Sequence, residues 1–141
     1  MTMLCYRSIY TGLALAAALI VVSAAQAEDL KLPARQDNQG QVIVSVAPFV
    51  TPGAETWRFD MQFNSHVSPI TQDIAAVSVL TDGTGREEAP TAWQGDPPGG
   101  HHRKGVLLFK PLAPMPASIT LKVRKIGSTP ERTFTWKLTD R

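Results

Sequence analysis

The chain has 141 residues, with 14 Lys and Arg against 12 Asp and Glu and a single cysteine. That length suits one domain. The balanced, interspersed charge lacks the basic stripe that neutralises a row of phosphates, so nucleic acid is not an expected partner. One cysteine excludes a disulfide framework.

The N-terminus carries Arg7, then an apolar run from Thr11 to Val22, then Ser23-Ala24-Ala25-Gln26-Ala27. The run is short for a membrane span, which needs about 20 residues. The small-polar-small ending is the pattern that a signal peptidase cuts after, so residues 1–27 are expected to be a secretory signal peptide and Glu28 the mature terminus. The expected address is the periplasm or the outside of the cell, with no stable membrane insertion after cleavage. Cys5 leaves with the signal, and the mature domain then holds no thiol nucleophile or thiolate ligand. Of the basic residues only Arg7 precedes Glu28, leaving 13 against 12 acids.

Residues 28–40 are polar and hold Pro33, Asn38 and Gly40, the composition of a flexible leader. The remainder, 41–141, is expected to be a β-sandwich domain. Val42, Val44 and Val46 alternate, although Ile43 blurs the face. The clearest strand runs from Trp57 to Asn64, where Trp57, Phe59, Met61 and Phe63 alternate with polar residues and should face the core. One helical turn is possible around Ile70 to Ala75. A third strand spans Ala76 to Leu80, and Asp82-Gly83-Thr84-Gly85 makes a hairpin turn into an edge strand from Arg86 to about Trp93.

Gly105 to Phe109 is a compact apolar run, and the Pro-rich stretch Pro111 to Pro116 is a crossing loop that neither helix nor central strand tolerates. Ile119, Leu121 and Val123 alternate with polar residues; after a turn at Gly127 to Pro130, so do Phe134, Trp136 and Leu138. About seven strands without a useful helix predict an all-β fold, a two-layer antiparallel immunoglobulin-like sandwich, with a small β-barrel as the alternative.

The least ordinary stretch is Trp93 to Lys104 and its following Gly105, which holds two of the three histidines and four of the ten glycines. Its plain interpretation is a solvated loop stiffened by Pro97-Pro98 and freed by Gly99-Gly100. A functional interpretation starts from imidazole, a common copper and zinc ligand. If the Gly-rich loop turned His101 and His102 toward one point, His66 at the end of the Trp57 strand could join them, with Asp96 or Asp73 as a carboxylate. Blue-copper chemistry is excluded because it needs a thiolate. A third interpretation takes Arg103 and Lys104 as an anion site with Trp93 as its wall.

No cofactor is expected otherwise, and no enzyme. There is no Gly-x-Ser-x-Gly elbow, no His-Glu-x-x-His and no phosphate loop, and Ser65-His66 are strand neighbours that face opposite ways.

Through Phe59 to His66, Asp73 to Leu80, Trp93 to Phe109 and Pro130 to Trp136, the chain resembles a group of uncharacterised secreted bacterial proteins. These combine a Ser-His strand end with a Gly-Gly-His-His-Arg loop. The resemblance covers most of the chain from about residue 56 onward and draws His66, His101, His102 and Arg103 into one region of interest. Small periplasmic copper-resistance sandwiches are similar in size and address, but this mature chain starts at Glu28 rather than at a metal-ligating His. The function expected is a non-catalytic binding or accessory module for a protein or small ligand, using the face that bears His66 and the His101–Lys104 loop, with Trp93, His101, His102 and Arg103 as its ligand-binding residues. The alternative is copper or zinc binding through His66, His101 and His102.

Overall fold

In the computed structural model the chain is described from residue 27 to residue 139. The signal-peptide reading therefore lies, but for its last residue, outside the described residues. Nine strands follow in order: β1 (Arg35–Gln39), β2 (Val42–Phe49), β3 (Trp57–Ser65), β4 (Ser78–Asp82), β5 (Glu87–Glu88), β6 (Ala92–Gly95), β7 (His102–Phe109), β8 (Ser118–Ile126) and β9 (Thr129–Lys137). They form two antiparallel sheets, β1-β2-β3-β7-β6 and β5-β4-β8-β9, with no helix among the described residues. This is the expected all-β sandwich.

Each sheet buries one face, so alternation in sequence becomes alternation in burial. Along β3 every second residue from Trp57 to Ser65 is buried, and β3 sits at the centre of its sheet between β2 and β7. Val42, Val44 and Val46 turn inward while Ile43 is half-buried on the outer face, which resolves the ambiguity in β2. The two layers meet through aromatic rings. Phe59 packs edge-on to Phe109 at 5.4 Å and lies 6.0 Å from Trp136 of the opposite sheet. Met61 is a core residue, while Met115 is exposed.

Three local expectations are corrected. The segment 28–40 is docked rather than flexible. Leu30 N donates to Val50 O at 2.8 Å, Trp136 Nε1 donates to Pro33 O at 2.7 Å, and β1 pairs with β2 along its whole length. Polar β1 is held by Arg132, which is 1% exposed and reaches from β9 to Asp37 and to Gln39 O.

The edge strand expected from Arg86 to Trp93 is two strands in different sheets. β5 pairs with β4 and β6 with β7, with Pro90 between them. This split and the extra β1 account for nine strands in place of about seven.

The strand expected at Ala76 starts instead at Ser78. Asp73 folds the preceding residues into a single turn, its Oδ1 accepting from the Ala75 and Ala76 amides at 3.0 and 3.3 Å and its carbonyl from Val77 N. Such Asx turns outcompete strand pairing because the side chain supplies the amides with a local partner.

Candidate functional site: the outer face of the five-stranded sheet

The stretch read as a Gly-rich loop is a β-hairpin. β6 and β7 pair from Ala92↔Leu108 to Gly95↔Gly105, and β7 begins already at His102. At the last rung the two glycines face each other, and a Cβ on Gly105 would stand 2.6 Å from Gly95 Cα and 2.6 Å from Trp93 Cζ2. Glycine is needed here so that the indole can lie flat over the pair. Trp93 then packs edge-on to Phe63 at 6.2 Å and donates from Nε1 to Asp96 O at 3.1 Å.

Strand geometry decides where the charged residues go. Arg103 shares the inner pleat with Leu107 and Phe109 and is 2% exposed. Its Nη1 donates to Ile70 O and Gln72 O at 3.0 and 2.8 Å, and its Nη2 to Asp96 O at 3.1 Å. Burial pulls the Arg103 pKa below its ordinary value, opposed by the charges of Asp96 and Asp73. Arg103 and Trp93 therefore tie the hairpin to the 70–72 segment. They are not the exposed anion site expected of them, because Arg103 is buried and its two Nη groups and Trp93 Nε1 donate to main-chain carbonyls, leaving only the buried Arg103 Nε without a partner among the described residues.

The histidines separate for the same reason. His102, first residue of β7, lies opposite Asn64 on the outer face and donates from Nδ1 to Asn64 Oδ1 at 2.8 Å. His101 is on the other pleat at the sheet end, where its Nδ1 stands 3.3 Å from Ser65 O and its own carbonyl accepts from Ser65 N at 2.8 Å. His66, exposed in the next segment, is anchored by its amide to Gln41 O at 3.2 Å. The expected convergence of His66, His101 and His102 does not occur. Among the described residues no group of three or more His, Cys, Asp or Glu side chains is arranged to hold a metal ion.

What the fold does bring together is a polar depression of about 380 Å³ on the outer face, lined by Gln62, Asn64, Asp96, His102, Arg103 and Lys104. Gln62 is opposite Lys104 in register, two rungs from the Asn64↔His102 pair and on the same face. Asp96 closes one side, with its Oδ2 accepting from Lys104 N at 2.9 Å. The depression shares Gln62, Asp96 and Lys104 with a shallow groove of about 610 Å³ that runs on past Ser45, Ala47 and Val106 to Asp60. Asp60 is half-buried on the central strand, and its Oδ1 is buried without a hydrogen-bond partner among the described residues. Sequence reasoning missed Gln62, Asn64 and Asp60. The signal was present, since all three occupy the polar phase of the alternating β3 run, and a polar phase on a central strand collects the outward residues of both neighbours.

Fold and site together define an antiparallel β-sandwich with a polar, strand-built depression on one outer face. A scan against models of protein families, a search of curated proteins and a search of solved structures each return no match. No helix among the described residues is long and apolar enough to cross a membrane.

Proposed function

We propose that the protein is a non-catalytic binding module acting outside the cytoplasm, and that its working surface is the outer face around His102 rather than the sandwich end bearing His66. The observation that carries this reading is the His102 to Asn64 hydrogen bond at 2.8 Å inside the depression shared with Gln62, Lys104 and Asp96. Side chains mounted on paired strands are held in place before a ligand arrives, which lowers the entropy cost of binding. The set offers an imidazole nitrogen, an amide, an ammonium and a carboxylate within one cup, with the unpartnered Asp60 oxygen further along the groove. That complement suits a small polar ligand bearing both donors and acceptors. No nucleophile and base are paired within it, which argues against catalysis.

Heteronuclear NMR titration with a panel of amino acids, dicarboxylates and short oligosaccharides tests the proposal. Shift changes confined to residues 60–64 and 94–106 support it. Saturable changes centred elsewhere, or none at millimolar ligand for the whole panel, would overturn it. The copper or zinc alternative rests on His102 Nε2 and Asp96 alone. Calorimetric titration with zinc decides it, since loss of saturable binding in His102→Ala would be required.

A further inference from the structure

β9 is the last strand of the four-stranded sheet and pairs only with β8. Along any strand the main-chain N–H and C=O groups point alternately to one side and the other. Leu138 N donates across to Ala117 O at 2.8 Å, one step beyond the Ser118↔Lys137 rung, which sets the phase. Leu138, Trp136, Phe134 and Arg132 therefore direct their main-chain groups to β8. Lys137, Thr135, Thr133 and Glu131 direct theirs to the open edge. The close hydroxyl contact of Thr135 with Thr120 at 2.8 Å agrees, because side chains approach nearest across rungs that are not hydrogen-bonded.

The same four residues are exposed on the outer face, while Arg132, Phe134 and Trp136 are buried. Their order is self-complementary. Place a second β9 antiparallel to the first with Phe134 opposite Phe134. Thr133 then meets Thr135 twice, and Glu131 meets Lys137 twice. All four rungs are ones in which both residues point their N–H and C=O across the new seam, giving up to eight main-chain hydrogen bonds. Glu131 already accepts from Arg124 Nε through Oε2 at 2.9 Å, and a carboxylate has a second oxygen with which to accept from another cation while keeping that pair. Beside this edge, Ala34 to Asp37 of β1 and its approach leave a groove of about 690 Å³ against Thr133, Phe134, Thr135 and Lys137.

We infer that the protein self-associates through its β9 edges as a twofold dimer, joining two four-stranded sheets into one continuous eight-stranded sheet. Long open edges are usually blunted by charge, proline or a bulge. Here the two charges lie opposite unlike charges of a second copy, so that they attract rather than repel.

Sedimentation velocity on the purified secreted protein from about 10 µM to about 1 mM tests the inference, since one strand pairing is a small interface with modest affinity. Wild type should show a dimer fraction that rises with concentration. Thr133→Pro removes one edge-facing N–H and no bond to β8, and should stay monomeric with an unchanged circular dichroism spectrum. Lys137→Glu sets Glu against Glu131 and should weaken the dimer about tenfold or more, and adding Glu131→Lys should restore it. A wild type that is monomeric at about 1 mM would overturn the inference. So would Lys137→Glu and Thr133→Pro dimers as strong as wild type, which would place the interface elsewhere.

Discussion

Arg103 and Trp93 donate to one and the same carbonyl, that of Asp96, each at 3.1 Å, while the guanidinium carbon lies 5.9 Å from the indole centroid. An arginine that also satisfies Ile70 O and Gln72 O is a fixed strut between the β6–β7 hairpin and the 70–72 segment. Removing it would leave Gln72 O without a donor and strip Ile70 O and Asp96 O, which keep Gly99 N and Trp93 Nε1, of their charged one. Arg103→Met should therefore cost about 3–4 kcal/mol in urea unfolding, and Arg103→Lys nearly as much, because an ammonium cannot span the fork. A loss under about 1 kcal/mol for both would show that the strut is dispensable.

The glycine pair beneath Trp93 makes a second, steric claim. Gly95 and Gly105 are not at positive φ, so the demand for glycine comes from space rather than from backbone conformation. In Gly105→Ala the new methyl meets Gly95 Cα, Trp93 Cζ2 and Gln94 O at 2.6 to 2.7 Å, two of them main-chain atoms that cannot turn aside. The expected loss is about 2–3 kcal/mol with an altered Trp93 fluorescence, read in the same urea melts. Gly99→Ala, whose Cβ would meet nothing within 4 Å but whose φ is +118°, should be destabilised by backbone strain with the fluorescence unchanged. Equal spectra for the two variants would contradict the packing argument.

Much of the fold was legible because apolar alternation survives translation into burial. The β3, β8 and β9 phases hold residue for residue from Trp57 to Phe63, Ile119 to Val123 and Phe134 to Trp136. β1 was not legible, since Arg35 to Gln39 carries no apolar residue and owes its place to Arg132, 95 residues away from Asp37 along the chain. The two buried arginines could have been found by extending the same period. Two steps before Leu107 on the inner pleat is Gly105 and two more is Arg103; two steps before Phe134 is Arg132. Charge made them look like surface, and only the carbonyls that surround them in space reverse that. The histidines were misplaced for the converse reason. Pro98 and Gly99 do make a turn, but it ends early enough, with Gly100 already bridged to Ile70, for the pleat of β7 to part His101 from His102.

The turn between β4 and β5 gives the stability a sign with pH. Asp82 Oδ1 accepts from the Thr84 hydroxyl at 2.7 Å and from the Thr84 and Arg86 amides at 2.8 and 3.0 Å. The Thr84 hydroxyl does most to hold the carboxyl below its ordinary 3.8; desolvation, next in size, opposes it, and the two amides and the Arg86 charge add to the lowering. A depressed pKa means the folded state binds the proton more weakly than the unfolded one. The stabilisation is complete above the unfolded pKa and fades as pH falls through the folded value. Asp82→Asn keeps an acceptor for the turn but cannot titrate, so its Tm should fall less steeply than wild type between about pH 4 and pH 2. Parallel acid arms for the two proteins would remove Asp82 from the account.

The orientation of His102 fixes what the depression can present. Asn64 Oδ1 can only accept, so the 2.8 Å contact requires the proton on His102 Nδ1, and in the neutral ring Nε2 then carries the lone pair of a residue that lines the depression. Free imidazole favours the opposite tautomer, which makes the prediction a distinctive one. Long-range nitrogen–proton correlation at about pH 8 should show Nε2 as the unprotonated nitrogen in wild type. In Asn64→Ala the ring should relax to the Nε2–H form or a mixture, with His101 and His66 unaffected because their partners lie elsewhere. Such a ring accepts from a ligand hydroxyl or ammonium group while neighbouring Lys104 donates, and the Asn64 variant should lose affinity for any ligand found there. If wild-type His102 carries its proton on Nε2, the amide is turned the other way, the depression presents a donor at that point, and the acceptor role assigned to His102 fails.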